Sequence, residues 1–319
     1  MRILITGASG LLGINLVLEA ARQHTVFGVV NQHKLQKPAE SSLPGLEMIQ
    51  ADLLKPGAVE DVLDRTQPDW VIHCAALAVV DACEAEPELA RQLNTDLPRK
   101  LALHVARGGA RLVHISTDAV FDGQRGGYSE EDVPNPLGVY ARTKLDGERA
   151  VAQFDPGAVI ARVNLFGWSL TGKRSLAEFF YNNLIAGKQV MGFTDVYFCP
   201  LLVNHLAGLL LRMLERDLHG LYHAVGSQCI TKYEFGVAIA RTFGLPEELI
   251  QPTSVQQAGL KAVRSPNLTL KTDKLAGALD EDIPGVFTGI ERLYTLYQQG
   301  YPQKLLAMTG SSGPSGAVA

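Results

Sequence analysis

Residues 2–13 read Arg2-Ile3-Leu4-Ile5-Thr6-Gly7-Ala8-Ser9-Gly10-Leu11-Leu12-Gly13, and this stretch decides the fold. The apolar run at residues 3–5 is typical of a strand that is buried on both faces of a sheet. The three glycines have the spacing of a strand-to-helix turn that binds a dinucleotide. An ordinary glycine-rich turn is the alternative, but the strand before the glycines and the helix after them favour the binding turn.

Each glycine of this turn has its own role. Gly7 permits the tight turn, Gly10 lets a diphosphate approach the backbone, and Gly13 lets the helix pack against the sheet. The first free N–H groups of that helix favour negative charge. We expect the phosphates to contact this turn also through Ser9, Leu11 and Leu12.

The composition is that of an ordinary enzyme. The 319 residues are 46% hydrophobic, which is enough for a large core and for two domains. The net charge of −4 gives no basic footprint for nucleic acid or for an acidic membrane. Polar residues interrupt the most apolar long run, residues 201–214, so we expect no membrane partner.

Four cysteines are present, and none has C-x-x-C spacing. We expect reduced thiols, a cytoplasmic location and no metal site, because a chain of this size needs no disulfide framework. We assign residues 1–163 to a dinucleotide-binding domain and residues 164–305 mainly to a substrate-binding domain, some segments of which return to the first. Residues 306–319 are predicted to be a disordered tail, because their last part is poor in apolar side chains.

The residues that follow the second strand, residues 25–30, indicate whether the cofactor is NADP(H) or NAD(H). This point contacts the adenosine ribose, and NAD sites usually place Asp or Glu there. The chain has Asn31 and then the cation Lys34, which suits a 2′-phosphate. A solvated loop is the alternative for Lys34. We predict that NADP(H) is preferred, without excluding NAD(H).

Strands that alternate with helices predict an α/β fold with a doubly wound parallel sheet of the Rossmann type. Ligands bind such sheets at the carboxyl ends of the strands, where this chain has small and polar residues. Asp52 is placed either to accept a hydrogen bond from adenine or to cap the next helix. The other residues expected at the cofactor are Leu53, Ala75, Ala76, Asn94 and Ser116.

Tyr140 and Lys144 are four residues apart on a predicted helix and therefore share one face. The pair suits proton transfer to a carbonyl oxygen while hydride reaches its carbon, because a nearby ammonium favours the phenolate and so lowers the pKa of the phenol. Thr117 ends the fifth strand and is placed to hold that oxygen. Chance is the alternative, but of the nine tyrosines only Tyr140 has lysine four residues later. We assign catalysis to Thr117, Tyr140 and Lys144 and expect the last two to contact the cofactor as well.

Together these residues resemble the extended short-chain dehydrogenase/reductase superfamily. Finer segments are similar to the dTDP-4-dehydrorhamnose reductase branch, namely residues 80–87, 116–123, 136–140 and 267–275. The resemblance spans about residues 1–300. It implies hydride transfer from NADPH to the 4-keto group of a nucleotide-linked deoxy sugar, and it leaves a homodimer open.

Two positions that face the sugar in this branch differ here. Ala119 stands where the branch usually has tyrosine, and Leu165 stands where it usually has tryptophan. The departures predict a 4-keto sugar other than the rhamnose precursor, or several such sugars. The side chains expected to contact the nucleotide sugar are Asp118, Asn164 and Arg264.

Two other functions stay open. A sugar-nucleotide epimerase or dehydratase with bound NAD is one, although Ala119 has no ionisable group to abstract a proton as a dehydratase requires. A non-catalytic regulatory subunit is the other. The regulatory β subunit of methionine adenosyltransferase resembles this branch and carries a Thr-Lys-Tyr-Glu segment like residues 231–234, where Thr231 and Glu234 also predict a capped helix start.

Overall fold

The fold is built on one parallel sheet of seven strands. The computed structural model describes residues 1–32, 35, 43, 45–258 and 265–310. In chain order its strands are β1 (Arg2–Thr6), β2 (Thr25–Val30), β3 (Leu46–Gln50), β4 (Trp70–His73), β5 (Arg111–Thr117), β6 (Val159–Val163), β7 (Leu165–Phe166), β8 (Val190–Phe193), β9 (Tyr197–Phe198), β10 (Leu201–Leu202), β11 (Gly220–Ala224), β12 (Ile230–Thr231) and β13 (Ile250–Thr253).

The seven strands have the spatial order β11-β6-β5-β4-β1-β2-β3, and every neighbouring pair is parallel. This arrangement confirms the predicted doubly wound sheet, in which the order reverses between β1 and β4. The short strands pair outside this sheet: β7 with β10, β8 with β13, and β9 with β12.

Twelve α-helices lie in the described part of the chain. They are α1 (Leu11–Ala20), α2 (Ala58–Thr66), α3 (Val80–Ala85), α4 (Pro87–Arg91), α5 (Leu97–Gly108), α6 (Val139–Phe154), α7 (Leu176–Ile185), α8 (Val203–Glu215), α9 (Lys232–Phe243), α10 (Asp273–Leu279), α11 (Val286–Gln298) and α12 (Tyr301–Ala307). A single π-helical turn, Gln92–Asp96, joins α4 to α5.

Both faces of the large sheet are buried, as the apolar run in β1 indicates. Ile3 and Ile5 point to one face, where they share a core with α1 and α8. Leu4 points to the other face and packs with α2 and α5. The polar groups of this part of the chain therefore concentrate at the strand ends.

The C-terminal half has a second core, in which α7, α9 and α11 surround aromatic side chains such as Phe180 and Phe235. Two of its segments return to the large sheet, since β11 pairs with β6 and α8 packs on α1. The predicted start of the disordered tail at residue 306 is too early in the chain. Helix α12 continues to Ala307 and Met308 is buried, because Leu305 and Met308 enter the second core.

The expectation of four reduced thiols is wrong for two of them. Cys199 and Cys229 form a disulfide, while Cys74 and Cys83 are free. The cysteines are far apart in sequence, but the antiparallel pairing of β9 with β12 places residues 199 and 229 opposite each other. Sequence spacing could not reveal a pairing that depends on strand register. Among the described residues, no helix is long and apolar enough to cross a membrane.

We predict that Gly147→Ala destabilises the protein. A Cβ at Gly147 of α6 would lie 2.2 Å from the carbonyl oxygen of Asn94, and backbone on both sides leaves no easy relief. The free energy of unfolding, measured in urea, should fall by about 1–3 kcal/mol.

Gly277→Ala is the matched control. Gly277 lies inside α10, and a Cβ there meets no atom of the described chain within 4 Å. Alanine should raise the free energy of unfolding by about 0.5–1 kcal/mol through helix propensity. Equal stability of Gly147→Ala and the wild type would contradict the packing of α6 described here.

Candidate active site

The turn between β1 and α1 approaches the backbone of a neighbouring loop closely. Gly7 has a φ of +66°, and a Cβ there would lie 2.6 Å from the backbone nitrogen of Ala75. A Cβ at Gly13 would lie 2.1 Å from the carbonyl oxygen of Gly7. Both positions therefore require glycine. Gly10 is also close to the Gly7 carbonyl oxygen, which lies 3.1 Å from its Cβ position.

Helix α1 begins at Leu11, and no side chain caps its Gly10 N-terminus. Ser9, Leu11 and Leu12 lie at this start, as expected. Its N–H groups and the cradle that the glycines keep open fit the diphosphate of a dinucleotide. The residues present thus suit the predicted cofactor.

The first residue after β2 is Asn31, so no acidic side chain stands at this position. Asn31 is exposed, and its carbonyl oxygen accepts a hydrogen bond of 3.1 Å from Gln50 Nε2. Lys34 lies outside the described residues. After β3, Asp52 accepts a hydrogen bond of 3.1 Å from the backbone of Leu54. Helix α2 starts later, after Gly57, so Asp52 does not cap it.

Asn94 braces the loop after β4. Its Oδ1 accepts from the Leu77 nitrogen at 2.9 Å, and its Nδ2 donates to the Leu77 oxygen at 3.0 Å and to Thr143 Oγ1 at 3.1 Å. The side chain is fully buried and lies on the π-helical turn, so it shapes the loop that carries Ala75 and Ala76. Leu53 likewise packs in the core beside its strand.

The tyrosine, lysine and threonine come together where β5 meets α6. Thr117 ends β5, and its hydroxyl lies near enough to the phenol of Tyr140 to favour the phenolate. Lys144 is buried and donates a 2.6 Å hydrogen bond from Nζ to the carbonyl oxygen of Ile115. Glu84 from α3 accepts a 2.7 Å hydrogen bond from the Val139 nitrogen, which stabilises the first turn of α6.

Burial sets the acid strengths of these groups. Loss of solvation raises the pKa of Tyr140 to about 12, and the Thr117 hydroxyl opposes this rise. The expectation that Lys144 lowers the pKa of the phenol is therefore wrong for the protein without ligand, because burial outweighs it. Loss of solvation lowers the pKa of Lys144 to about 8, opposed by the Glu148 carboxylate. The phenol is therefore protonated at neutral pH, and Lys144 lies one turn of α6 after it.

A cavity of about 620 Å³ opens in front of Tyr140. Ala119, Gly138 and Asn164 line it from the sheet edge and from the start of α6, and Tyr197 and Phe198 of β9 line it from the C-terminal half. Of the two residues that differ from the dTDP-4-dehydrorhamnose reductase branch, Ala119 faces this cavity. Leu165 instead packs against the core of the large sheet.

Asp118 and Asn164 lie together at this cavity. Asn164 Nδ2 donates to Asp118 Oδ2 at 2.5 Å, and the Thr117 hydroxyl donates to Oδ1 at 3.1 Å. Burial raises the pKa of Asp118 to about 6, which these hydrogen bonds oppose. Arg264 lies outside the described residues. Ser116 points away from the cavity and donates a hydrogen bond of 2.5 Å to Glu148 Oε1.

Sequence reasoning missed Lys232, which lines the cavity from the first turn of α9. The signal was present, because the predicted capping box begins at Thr231 and places residue 232 at the start of a helix. The structure confirms that capping box. It contains no group of three or more His, Cys, Asp or Glu side chains, within its described residues, that could hold a metal ion.

The comparisons with known proteins agree with this geometry. The model of the RmlD substrate binding domain family matches residues 1–298. Methionine adenosyltransferase 2 subunit beta of Pongo abelii is 34% identical over 283 residues, which are 86% of this chain and 81% of that protein. The probable low-salt glycan biosynthesis reductase Agl14 of Haloferax volcanii is 31% identical over 280 residues, 86% of this chain and 91% of that one.

A solved structure matches over almost the whole chain. The dTDP-4-dehydrorhamnose reductase of Bacillus anthracis, in complex with NADP, is 26% identical with a TM-score of 0.79 and covers 92% of this chain and 98% of its own. The resemblance drawn from the sequence is thereby confirmed. The chain belongs to the RmlD substrate-binding domain family of the extended short-chain dehydrogenase/reductases.

Proposed function

We propose that the protein is a reductase that transfers a hydride from NADPH to the 4-keto group of a nucleotide-linked deoxy sugar. The observation that carries this proposal is that Tyr140 lines a cavity of about 620 Å³, with Thr117 beside its phenol and Lys144 on the next turn of the same helix. The glycine turn that suits a dinucleotide lies at the same edge of the sheet. Membership of the family and the reductase names of two similar proteins support it.

The residues supply a proton path to the carbonyl oxygen. Bound NADPH supplies the hydride. Tyr140, which is protonated at neutral pH, donates its proton to the oxygen as negative charge develops there. Thr117 turns its one hydroxyl hydrogen from Asp118 Oδ1 to that oxygen, and the Lys144 ammonium stabilises the phenolate that remains.

The preference for NADPH rests on the end of β2. Asn31 leaves no carboxylate to repel a 2′-phosphate, and Lys34 adds a cation nearby in sequence. The similar Bacillus anthracis structure contains NADP, which supports the same choice. A cytoplasmic location and a homodimer remain predictions.

A regulatory subunit that binds NADP without catalysis is the second candidate. The 34% identity to a protein named as subunit beta of methionine adenosyltransferase 2 favours it. The cavity also carries Lys232, within the Thr-Lys-Tyr-Glu segment. A dehydratase is less well supported, because Ala119 faces the cavity and cannot abstract a proton.

Tyr140→Phe should bind NADPH almost as well as the wild type but lose turnover by roughly 10²–10⁴-fold, because the transferable proton is removed. Cofactor binding is measured by fluorescence titration and turnover by NADPH oxidation. Tyr294→Phe is the control. Tyr294 lies on α11, where its ring packs against Phe243 of α9, and the variant should turn over normally. Normal turnover in Tyr140→Phe would remove Tyr140 from the mechanism.

NADPH should bind at least about tenfold more tightly than NADH, a difference of about 1.4 kcal/mol. Lys34→Ala should reduce the ratio of the NADH to the NADPH dissociation constant. Lys188→Ala, at an exposed lysine after α7, should leave this ratio unchanged. Both cofactors are titrated against each variant. Tighter binding of NADH to the wild type would show that the end of β2 does not select for the 2′-phosphate.

NADPH oxidation with a panel of nucleoside diphosphate 4-keto sugars tests the substrate. Ala119 at the cavity wall leaves the space of an aromatic side chain, roughly 150–250 Å² of contact area in the branch it resembles. We therefore expect reduction of a sugar other than the rhamnose precursor, or of several. Reduction of dTDP-4-dehydrorhamnose alone would contradict this specificity. Firm NADPH binding with no reduction across the panel would favour the regulatory subunit.

A further inference from the structure

A buried ion pair lies beneath the helix that carries Tyr140. Glu148 on α6 is four residues after Lys144, and Arg162 on β6 binds it with two hydrogen bonds, Nε to Oε1 at 2.9 Å and Nη2 to Oε2 at 2.8 Å. The two side chains are only 6% and 3% exposed. Both charges are thus removed from water.

The same carboxylate reaches the strand that carries Thr117. Ser116 donates to Glu148 Oε1 at 2.5 Å, and the preceding residue, Ile115, accepts the 2.6 Å hydrogen bond from Lys144 Nζ. Two adjacent residues of β5 are therefore tied to two residues one helical turn apart on α6. Any shift of the helix along the strand would break both hydrogen bonds.

Arg162 is itself held from a third side. Its guanidinium lies over the Phe121 ring, 5.0 Å from the centroid, and its Nη1 is 3.5 Å from Nε2 of His223 on β11. His223 Nδ1 lies 3.2 Å from the Lys271 carbonyl oxygen. Burial lowers the pKa of His223 to about 4, so the neutral ring donates to that carbonyl and accepts from Arg162.

Stability alone does not explain such a pair. Removing two charges from water costs several kcal/mol per ion, and well-packed apolar residues are often equally stable in the same place. The Glu148–Arg162 pair therefore indicates that a nearby group needs either a fixed position or a negative charge inside the protein. Lys144 is the nearest functional group that such a charge would serve.

Among the described groups, Glu148 favours the charged form of Lys144 most, and Cys74 is the other group that acts in this direction. His73 at the end of β4 and His114 on β5 are both buried, and burial lowers the pKa of each well below neutrality. Burial raises the pKa of the Cys74 thiol to about 12, so that group is also neutral. Only Glu148 on α6 brings a full negative charge toward the ammonium.

We propose that Glu148 is a positioning residue that holds Lys144 in its ammonium form and in register with β5, and that Arg162 and Ser116 fix its carboxylate for this purpose. The inference rests on the proposed cofactor and reductase site, in which Lys144 contacts the cofactor and stabilises the phenolate. It assigns a role to three buried residues that do not line the cavity in front of Tyr140.

The test is the affinity for NADPH, measured by fluorescence titration between about pH 6 and about pH 10. In the wild type the dissociation constant should rise as Lys144 loses its proton, and Lys144→Met should abolish this rise. Glu148→Gln keeps the shape of the side chain but removes its charge. The rise should then begin about one pH unit lower, because the charge that favours the ammonium is gone.

Asp146→Asn is the matched control, since it removes one negative charge from an exposed position of the same helix. Its midpoint should equal that of the wild type. Ser116→Ala keeps the carboxylate and should weaken NADPH binding by a similar factor at every pH, with an unchanged midpoint. If Glu148→Gln does not fold, Glu148→Asp, which retracts the charge, should shift the midpoint in the same direction by a smaller amount.

A wild-type affinity that does not change with pH would overturn the proposal. So would a midpoint in Glu148→Gln equal to that of the wild type, or a loss of affinity that is the same at every pH, which is the sign of a purely structural role. The shift in NADPH affinity requires no turnover. If it occurs while no sugar is reduced, the role of Glu148 stands and only the proposed reductase activity fails.

Discussion

Burial of the parallel sheet on both faces is the constraint on which the rest of the structure depends. Apolar side chains of the strands alternate between two cores, as Ile3 and Leu4 do, and the interior leaves little room for ligands. Polar side chains collect instead where the strands end. The glycine turn after β1, the loop after β4 and the Thr117–Asp118 pair after β5 therefore meet at one edge, and the C-terminal half closes over that edge.

Backbone contact at this edge is close enough to exclude side chains. The β1–α1 turn touches the loop that carries Ala75, and α6 touches the π-helical turn that carries Asn94, in each case at a glycine. The Asn94 side chain forms hydrogen bonds with Leu77 and Thr143. The loop beside the expected cofactor and the helix of Tyr140 are thus parts of one rigid arrangement, which suits a reaction that needs accurate placement of donor and acceptor.

The cavity wall includes Ala119, one of the two positions at which this chain differs from the branch it resembles. Helix α6 brings Tyr140 to the cavity, while Ala119, Lys232 and the β9 residues Tyr197 and Phe198 shape the space in front of it. The disulfide between Cys199 and Cys229 joins the two short strands behind that wall. Changes at these positions alter what fits the cavity without touching the proton donor, so one scaffold can serve a reductase or a binding subunit.

The sequence by itself determined the sheet and the placement of Tyr140 and Lys144 on one face of a helix. Strand and helix periods and the glycine spacing are local properties, and the Tyr140–Lys144 pair follows from the repeat of one helix, so all of these can be recognised without coordinates. The tertiary structure decided what depends on contacts between distant segments. It paired Cys199 with Cys229, turned Ser116 toward Glu148, packed Leu165 against the core of the large sheet and brought Lys232 to the cavity. Each of these depends on strand register or helix packing, which no local pattern in the sequence records.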